Sequence, residues 1–409
     1  MMLNYTFLRL PGMGKLLIGY VLSVIADTSV YIVFAVWAKQ LTGSTAGAGL
    51  VFFCFIIPSL ISPLTGNIID NLRKDHTIVF TNIFMAATIL TLYFSPEKNQ
   101  YTLLLTSAFV YGLGYVVFNS ARVCIVVNSY DKHHIGQINA VLRTLRETVR
   151  LTAPLFGVYI YTTLGNHVFV WFVSLSLIFS ACLFINFEKK NTSSGSGNGS
   201  AFSLRGLWDG IWELWRNPLI RSCVVCLSVT LLVAGFYEII LFSIIDYLHQ
   251  PLAVIGQLIS AQGIGAVMGG LASMRLIKNI SSGVLISAGL FIQVTGMLGL
   301  FSQDMVMIYI SCAVFGFGAP ISMVGLDTLI QTTLPPAVQG RANTSLEAIT
   351  SIPFSLSFLI SSLMTTVISY KIMLLSMVIV TVSAAIFLLL AVKKADYTLC
   401  YSRDDDPKN

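Results

Sequence analysis

The sequence predicts an all-α membrane protein with twelve transmembrane helices arranged as two six-helix bundles. Hydrophobic residues make up 56% of the 409 residues and charged residues only 10%, a composition that excludes a water-soluble fold with an ordinary polar surface. Apolar stretches recur from residue 16 to residue 392, separated by short polar segments. A helix needs roughly 20 such residues to cross about 30 Å of hydrocarbon, and the stretches have that length.

The polar segments divide the apolar sequence into six predicted spans in each half. The first six are predicted at 16–38, 46–69, 77–94, 101–127, 138–163 and 168–187. The second six are predicted at 218–245, 253–275, 283–302, 305–333, 342–368 and 371–392. The first stretch is longer than the core of a signal peptide, so we expect it to be a retained helix.

The distribution of lysine and arginine predicts the orientation of these spans. With the N-terminus inside, cytoplasmic segments hold sixteen of the 24 basic residues, the opposite side holds three, and five lie within spans. Basic residues in short loops stay on the cytoplasmic side. We therefore expect a multi-pass protein of the cytoplasmic (inner) membrane with both termini in the cytoplasm, and the net charge of +6 reflects this topology rather than a nucleic-acid partner.

A polar segment in the middle of the chain predicts the domain division. It begins with a Ser/Gly/Asn run at 191–200 that has the composition of a flexible tether. Trp208, Trp212 and Trp215 then recur at helical spacing, the pattern of a helix that lies in the headgroup layer. The predicted parts are an N-terminal bundle at 1–187, a cytoplasmic linker with an interfacial helix at 188–217, a C-terminal bundle at 218–393 and a cytoplasmic tail at 394–409.

Two short motifs repeat at the same step of each half. Gly136-Gln-Ile-Asn139 opens the predicted fifth span and Gly340-Arg-Ala-Asn343 opens the eleventh. Their positions fit parallel repeats related by an axis along the membrane normal.

Several motifs resemble those of a known transporter family. Gly66-Asn-Ile-Ile-Asp70-Asn-Leu-Arg73-Lys74, between spans two and three, resembles the loop motif G-x-L-a-D-R-x-G-R of the major facilitator superfamily. Asn71 stands where that motif has arginine, and Arg73 stands where it has glycine. Leu329-Ile-Gln331-Thr-Thr-Leu-Pro335, Gly340-Arg341 and Pro353 are similar to the LLQ…P…GR…P stretch of the branch that includes macrolide-efflux proteins and some siderophore exporters.

The resemblance runs the whole length of the chain and has functional implications. It implies a two-domain bundle, alternating access, a central cavity lined in part by the first span, and usually export driven by the proton gradient. It implies neither a cofactor nor an enzymatic activity. We expect a monomer that contacts a small-molecule substrate, protons and membrane lipid.

Ionisable residues within the spans are the candidates for proton coupling, because such residues are costly in lipid. All five histidines fall in loops or at span ends, so the carrier is expected to be a carboxylate: Asp27, Glu147 or Glu238. Asp27 lies about halfway along the first span, where low-dielectric surroundings favour the neutral form that a proton carrier needs. The alternative is that Asp27 is the static partner of an arginine.

Further candidates fall into a substrate cavity and a cytoplasmic gate. The cavity candidates are Tyr31, Phe34, Tyr115 and Arg150. The charge of Arg150 is expected to be balanced by Asp27 or Glu147, or else to face the cavity and bind an anionic group of the substrate. The gate candidates are Asp70, Lys74, Arg122, Asp327, Arg341 and Glu347, whose alternative role is that of interfacial charges.

The sequence lacks the motifs of nucleotide-driven pumps, metal sites and nucleophilic enzymes. The sequence contains no phosphate-cradling GxxxxGK, no cluster of metal-ligand residues and no nucleophile triad. The predicted function is proton-coupled efflux of an amphipathic small molecule, such as a drug or a secreted siderophore. The alternatives are an importer with the same fold, since alternating access is reversible, and a non-transporting membrane scaffold or receptor.

Overall fold

A computed structural model gives the fold of the chain. It describes residues 10–61, 73–94, 96, 99–130, 132–187, 204–277 and 279–404. The side chains of some helical residues lie outside this description, among them Arg143, Glu147, Arg341 and Glu347. The chain forms two compact units, Met1–Ser203 with Gln250–Ser260, and Leu204–His249 with Ala261–Asn409. The predicted domain boundaries stay predictions.

The secondary structure of the first unit consists of helices in the described residues. Its helices are α1 (Met13–Thr42), α2 (Thr45–Ile56), α3 (Lys74–Thr91), α4 (Gln100–Ser129), α5 (Lys132–Tyr159) and α6 (Asn166–Phe184). Helix α1 packs against α2, α5 and α6, while α4 packs against α2 and α3. The helix α1 is therefore central to this unit, and 18 of its 30 residues are buried.

The second unit is also helical. Its elements are α7 (Leu204–Arg216), α8 (Pro218–Ala234), α9 (Phe236–Tyr247), α10 (Val254–Leu276, whose first residues belong to the first unit), α11 (Ser282–Gly299), α12 (Met305–Thr333), α13 (Pro336–Met364) and α14 (Tyr370–Asp404). Glycines bring α11 and α12 into close contact: a Cβ at Gly318 would lie 2.5 Å from the carbonyl oxygen of Gly289. Small residues permit such close approach between membrane helices, where packing drives association.

Eight helices among the described residues are long and apolar enough to cross a membrane. They are Met13–Thr42, Gln100–Ser129, Asn166–Phe184, Pro218–Tyr247 (α8 with α9), Val254–Leu276, Ser282–Gly299, Met305–Thr333 and Tyr370–Lys393. The shorter apolar helices are Thr45–Leu60 and Ala348–Met364. Helices α3 and α5 are in neither group, and α5 carries Arg143, Arg146, Glu147 and Arg150. The count of twelve spans stays a prediction.

Two helices begin earlier than the apolar pattern predicts. Helix α5 begins at Lys132 rather than 138, and α13 begins at Pro336 rather than 342. The repeated motifs Gly136–Asn139 and Gly340–Asn343 therefore lie inside the helices and do not open them. Pro336 suits the first turn of a helix. Backbone N–H groups have no intrahelical acceptor in that turn, so proline loses no hydrogen bond there.

Two predicted spans are interrupted in the structure. After Ile56, helix α2 becomes a 3₁₀ helix, Ile57–Ile61, because Pro58 supplies no N–H to an α-helical ladder. The predicted seventh span is broken at Gly235, between α8 and α9. The hydroxyl of Ser357 accepts a hydrogen bond from the Gly235 N–H at 2.8 Å, and a Cβ at Gly235 would lie 2.9 Å from that hydroxyl. The close contact with α13 therefore accounts for both the glycine and the break.

Helix α7 occupies the part of the central segment that carries the tryptophans. Trp208 is 70% exposed and Trp212 is 72% exposed, whereas Leu214 is fully buried. The helix packs against α8 and α13 and presents both tryptophans outward. Its place in the headgroup layer stays a prediction.

Candidate functional site

The carboxyl group of Asp27 lies buried in the middle of α1. Its side chain is only 7% exposed, and Asp27 Oδ1 accepts a hydrogen bond of 2.8 Å from the hydroxyl of Tyr111 on α4. Among the described residues, no ion pair joins Asp27 to an arginine. Asp27 is therefore held by a neutral phenol, and this structure does not show the static arginine partner considered from the sequence.

A group of aromatic rings adjoins Tyr111, the hydrogen-bond partner of this carboxyl group. We call Tyr31, Phe52, Phe55, Tyr111 and Tyr115 the aromatic shell. The ring centres of Phe55 and Tyr111 are 5.7 Å apart and stacked, and Phe55 lies 6.2 Å from Tyr115 and 5.3 Å from Tyr31. The Tyr31 ring also lies 4.6 Å from Phe52. These separations are those of favourable aromatic pairs, so α1, α2 and α4 share one continuous aromatic surface.

Helical spacing explains how the shell is assembled. Asp27 and Tyr31 are four residues apart on α1, and Tyr111 and Tyr115 are four residues apart on α4, so each pair lies on one face of its helix. Gly112 allows α4 to approach α2, because a Cβ at this position would overlap the carbonyl oxygen of Phe55. The close approach places the Phe55 ring against Tyr111.

A buried polar cluster fixes α1 one turn before Asp27. The hydroxyls of Ser23 and Ser180 are 2.9 Å apart, and the Asn82 amide donates to Ser180 Oγ at 3.0 Å. Ser180 Oγ in turn donates to the carbonyl oxygen of Gly19 at 2.8 Å. Ser23, Asn82 and Ser180 are fully buried, so α1, α3 and α6 are tied together at this level.

Arg146 and Arg150, the arginines of α5 whose side chains are described, form no ion pair with Asp27. Arg150 is exposed and Arg146 is half-buried. Both interact electrostatically with Tyr115, as does Asp27. Glu147, the other predicted partner of Arg150, has its side chain outside the described residues. No ion pair joins Arg150 to Asp27 in this structure, and the pair with Glu147 and the cavity role of Arg150 both stay predictions.

The predicted gate residues are only partly described. Arg122 on α4 is half-buried, and its guanidinium carbon lies 4.9 Å from the centre of the Tyr20 ring. Lys74 begins α3 and Asp327 lies on α12, both half-buried. Asp70 lies outside the described residues, as do the side chains of Arg341 and Glu347. Whether these groups form a gate stays a prediction.

An ion pair near the predicted gate was missed from the sequence. Arg73 donates two hydrogen bonds to the carboxylate of Asp75, of 3.3 Å and 2.9 Å. Asp75 is fully buried in the first turn of α3. A negative charge is favourable there because the first turn of a helix presents unpaired N–H groups. The arginine at the glycine position of the loop motif thus has a local partner.

Two further predicted residues, Phe34 and Glu238, have no ring contact with the aromatic shell among the described residues. Phe34 is fully buried, with its ring 6.4 Å from Trp37, and it has no accessible surface for a substrate in this structure. Glu238 is half-buried in the first turn of α9, just after the break at Gly235. It belongs to the second unit. Its role in proton coupling stays a prediction.

The sequence did not identify Tyr111, Phe52 or Phe55 as functional residues. Tyr111 is 84 residues from Asp27 in the chain, so no local pattern connects them. The one available signal was the spacing of Tyr111 and Tyr115, which places two phenols on one face of a predicted span. Within the described residues, no group of three or more His, Cys, Asp or Glu side chains could hold a metal ion. The arrangement can bind an aromatic ligand and can accept or release a proton at a protected carboxyl group.

Comparison with known proteins identifies the family. The family model described as Major Facilitator Superfamily matches residues 16–248, more than half of the chain. The chain belongs to the major facilitator superfamily. As a member of this transporter family it is a multi-pass membrane transport protein and not an enzyme, and the resemblance seen in its loop motifs is confirmed.

Curated relatives of this superfamily member include a siderophore exporter. The chain is 29% identical over 144 residues to the enterobactin exporter EntS of several Escherichia coli strains, among them O127:H6 and O6:K15:H31. That match spans 34% of the chain and 34% of the relative's length. Because only about a third of each protein is covered, the similarity to a siderophore exporter is weak.

Solved structures of other transporters share the fold. A bacterial homologue of the iron transporter ferroportin, in an inward-facing state, has a TM-score of 0.71 at 14% identity and covers 93% of this chain and 97% of its own. A bacterial homologue of the lysosomal transporter Spinster has a TM-score of 0.71 at 12% identity, with coverages of 93% and 96%. At these identities the likeness shows the fold alone.

Proposed function

We propose that the protein is a twelve-span secondary transporter of the cytoplasmic membrane that exports an amphipathic small molecule in exchange for protons. In this proposal the chain acts as a monomer with both termini in the cytoplasm and works by alternating access. The similarity to the enterobactin exporter, over about a third of the chain, supports export and a secreted metabolite as substrate. Asp27 is the proposed proton carrier.

The observation that supports this most strongly is the partner of Asp27. A carboxylate paired with arginine stays ionised, because the opposite charge favours the charged form. Among the described residues, Asp27 instead accepts one hydrogen bond, from Tyr111. Since a protonated carboxyl group keeps one acceptor oxygen, this contact can persist in both protonation states. Asp27 can therefore gain and lose a proton without losing the contact that orients it.

The aromatic shell provides the proposed substrate surface. Tyr31, Phe55 and Tyr115 are half-buried rather than fully buried, so part of each residue stays accessible. Ligand sites combine apolar and aromatic walls with a few polar groups that orient the ligand. Arg150, exposed on α5, is a further proposed contact.

The proposed role of Asp27 is tested by Asp27→Asn in proteoliposomes with an imposed pH gradient. Substrate transport driven by the gradient should fall to background, because asparagine keeps the shape and an acceptor oxygen but carries no exchangeable carboxyl proton. Asp304→Asn is the matched control: Asp304 caps α12 by accepting from the Val306 N–H at 3.2 Å, and asparagine caps equally well. Wild-type transport by Asp27→Asn, with the same pH dependence, would contradict the proposal.

A further inference from the structure

Arg122 is a cation without an ionic partner among the described residues. It lies on α4, eleven residues after Tyr111. Its guanidinium carbon is 4.9 Å from the centre of the Tyr20 ring. Its Nε is buried and has no hydrogen-bond partner within the described part of the chain. Among the described residues, the Nε donor of this half-buried side chain is thus shielded from water without an acceptor.

The charged side chain that interacts electrostatically with Arg122 is another arginine, so both groups are positively charged. Arg122 interacts with Arg146 of α5 and with the phenols of Tyr20 and Tyr115. No carboxylate of the described residues is among these neighbours. Two neighbouring guanidinium groups repel each other, so an anion placed between α4 and α5 would be attracted by both.

A comparison of the cation–π energy with the desolvation cost favours an anion as the partner of Arg122. A cation over an aromatic ring contributes about 0.5–2 kcal/mol. Removing an ion from water costs several kcal/mol even after relaxation of the protein. Arg122 is half-buried, so it bears part of this cost, and its Nε still lacks an acceptor among the described residues. A carboxylate on the guanidinium offsets more of the cost than an aromatic ring does, because Arg–carboxylate hydrogen bonds are charge-assisted and often bidentate.

The aromatic shell extends from this arginine. Tyr115, which interacts electrostatically with Arg122, lies 6.2 Å from Phe55, and Phe55 lies 5.3 Å from Tyr31. A ligand whose anionic group reaches Arg122 would therefore place an adjoining ring on Tyr115 and Phe55. Offset or edge-to-face contacts at these separations are favourable.

We propose that Arg122 binds the carboxylate of an aromatic organic anion whose ring packs on Tyr115 and Phe55. The proposal rests on the transport function proposed above and names the chemical class of its substrate. It differs from the predicted cytoplasmic gate, whose candidates include Arg122 and, close to it in the predicted topology, Asp70 as a possible ionic partner. The two roles of Arg122 predict different binding data. An Arg122 that binds substrate makes the protein prefer anionic ligands, whereas an Arg122 in a gate pair does not affect which ligand charge is preferred.

The experiment uses three probes with the same aromatic body and different charges. Binding of 2-naphthoate, 2-naphthamide and 2-naphthylmethylammonium to the detergent-purified full chain is measured by calorimetry, without any gradient. The wild type should bind the carboxylate at least about tenfold more tightly than the ammonium probe, and Arg122→Gln should lower carboxylate affinity by about tenfold or more, since charge-assisted hydrogen bonds are the stronger class. Affinity for the neutral amide should change little.

Control variants separate binding from folding. Arg275→Gln removes an exposed arginine near the end of α10 and should leave all three affinities unchanged. Arg122→Lys keeps the charge and should retain the preference for the anion at reduced affinity, which covers the case in which Arg122→Gln does not fold. Tyr20→Leu, which lacks the ring over the guanidinium, should bind the carboxylate more weakly.

Two results would overturn the proposal. One is carboxylate affinity in Arg122→Gln within twofold of the wild type. The other is equal affinity of the wild type for the anionic and cationic probes. If instead Arg122→Gln and Asp70→Asn lower the melting temperature equally and neither changes probe affinity, Arg122 belongs to the gate pair. Intact anion binding without pH-driven transport would contradict the proposed export function and leave this inference standing.

Discussion

At the scale of single residues, the hydroxyl of Tyr111 is the group expected to set how readily Asp27 loses its proton. It is the one described donor to that carboxyl group, at 2.8 Å. A hydrogen bond to a carboxylate stabilises the ionised form more than the neutral form. In buried surroundings such a bond is worth more than in water, because no solvent competes for the acceptor. Tyr111 therefore acts on the chemistry of Asp27 without itself carrying the proton.

Tyr111→Phe should shift the pH dependence of transport without abolishing transport. The variant keeps the ring that stacks on Phe55 at 5.7 Å and removes only the donor. Loss of a hydrogen bond to a charged group costs about 1.5–3 kcal/mol, which corresponds to roughly one to two pH units. Because the ionised form loses this stabilisation, the pH of half-maximal transport should rise. The measurement is the initial transport rate between pH 5 and 9 in proteoliposomes.

The matched control for this shift is Tyr101→Phe on the same helix. Tyr101 lies ten residues before Tyr111 in the chain. Its hydroxyl donates to the carbonyl oxygen of Gly47 at 3.4 Å. Its removal should leave the pH profile unchanged. An unchanged profile in Tyr111→Phe as well would mean that Asp27 does not govern the pH dependence.

At the scale of helices, the contact between α2 and α4 positions the aromatic shell. Gly112→Ala places a methyl group where the Phe55 carbonyl oxygen lies, so the helices must separate. Overpacking of this kind typically costs about 1–3 kcal/mol. We expect a lower melting temperature and weaker binding of aromatic ligands, measured on the purified protein. Gly14→Ala is the control, since nothing lies within 4 Å of a Cβ there, and equal melting temperatures for the two variants would contradict the prediction.

The sequence predicts the positions of the helices better than it predicts where each helix begins or ends. Apolar length predicts the spans, because hydrocarbon thickness fixes the number of apolar residues. It does not predict that α5 and α13 begin about six residues earlier, because polar residues at a helix end satisfy helical geometry without adding hydrophobicity. The break at Gly235 depends on a contact with Ser357, 122 residues away, and leaves no local signal in the apolar run.

The site followed from the sequence only in part, for a related reason. Asp27 was identifiable because an acid inside an apolar stretch is costly and therefore rare. Its partner was not, since composition alone made an arginine the expected neighbour. The structure instead gives Tyr111 to Asp27 and leaves Arg122 on the ring of Tyr20. Which polar groups meet depends on helix packing, which hydrophobic periodicity does not specify.

At the scale of the whole molecule, the charge of the substrate determines how transport responds to the membrane potential. Exchange of one exported monocation for one imported proton moves no net charge across the membrane. Exchange of one exported monoanion for one imported proton moves two charges in the same sense. Moving one elementary charge through 100 mV corresponds to about 2.3 kcal/mol, so the anion cycle gains about 4.6 kcal/mol per turnover from such a potential.

If the substrate is the aromatic anion proposed for Arg122, its export should therefore depend steeply on the potential. Proteoliposomes are held at a fixed pH gradient, and a potassium diffusion potential is imposed with valinomycin, with the side equivalent to the cell exterior made positive. Transport of an anionic substrate against its concentration gradient should increase with this potential, and Arg122→Gln should reduce the transport at every potential. A cationic substrate transported at a rate independent of potential would instead identify an electroneutral exchanger, in which Asp27 rather than Arg122 provides the charge that faces the ligand.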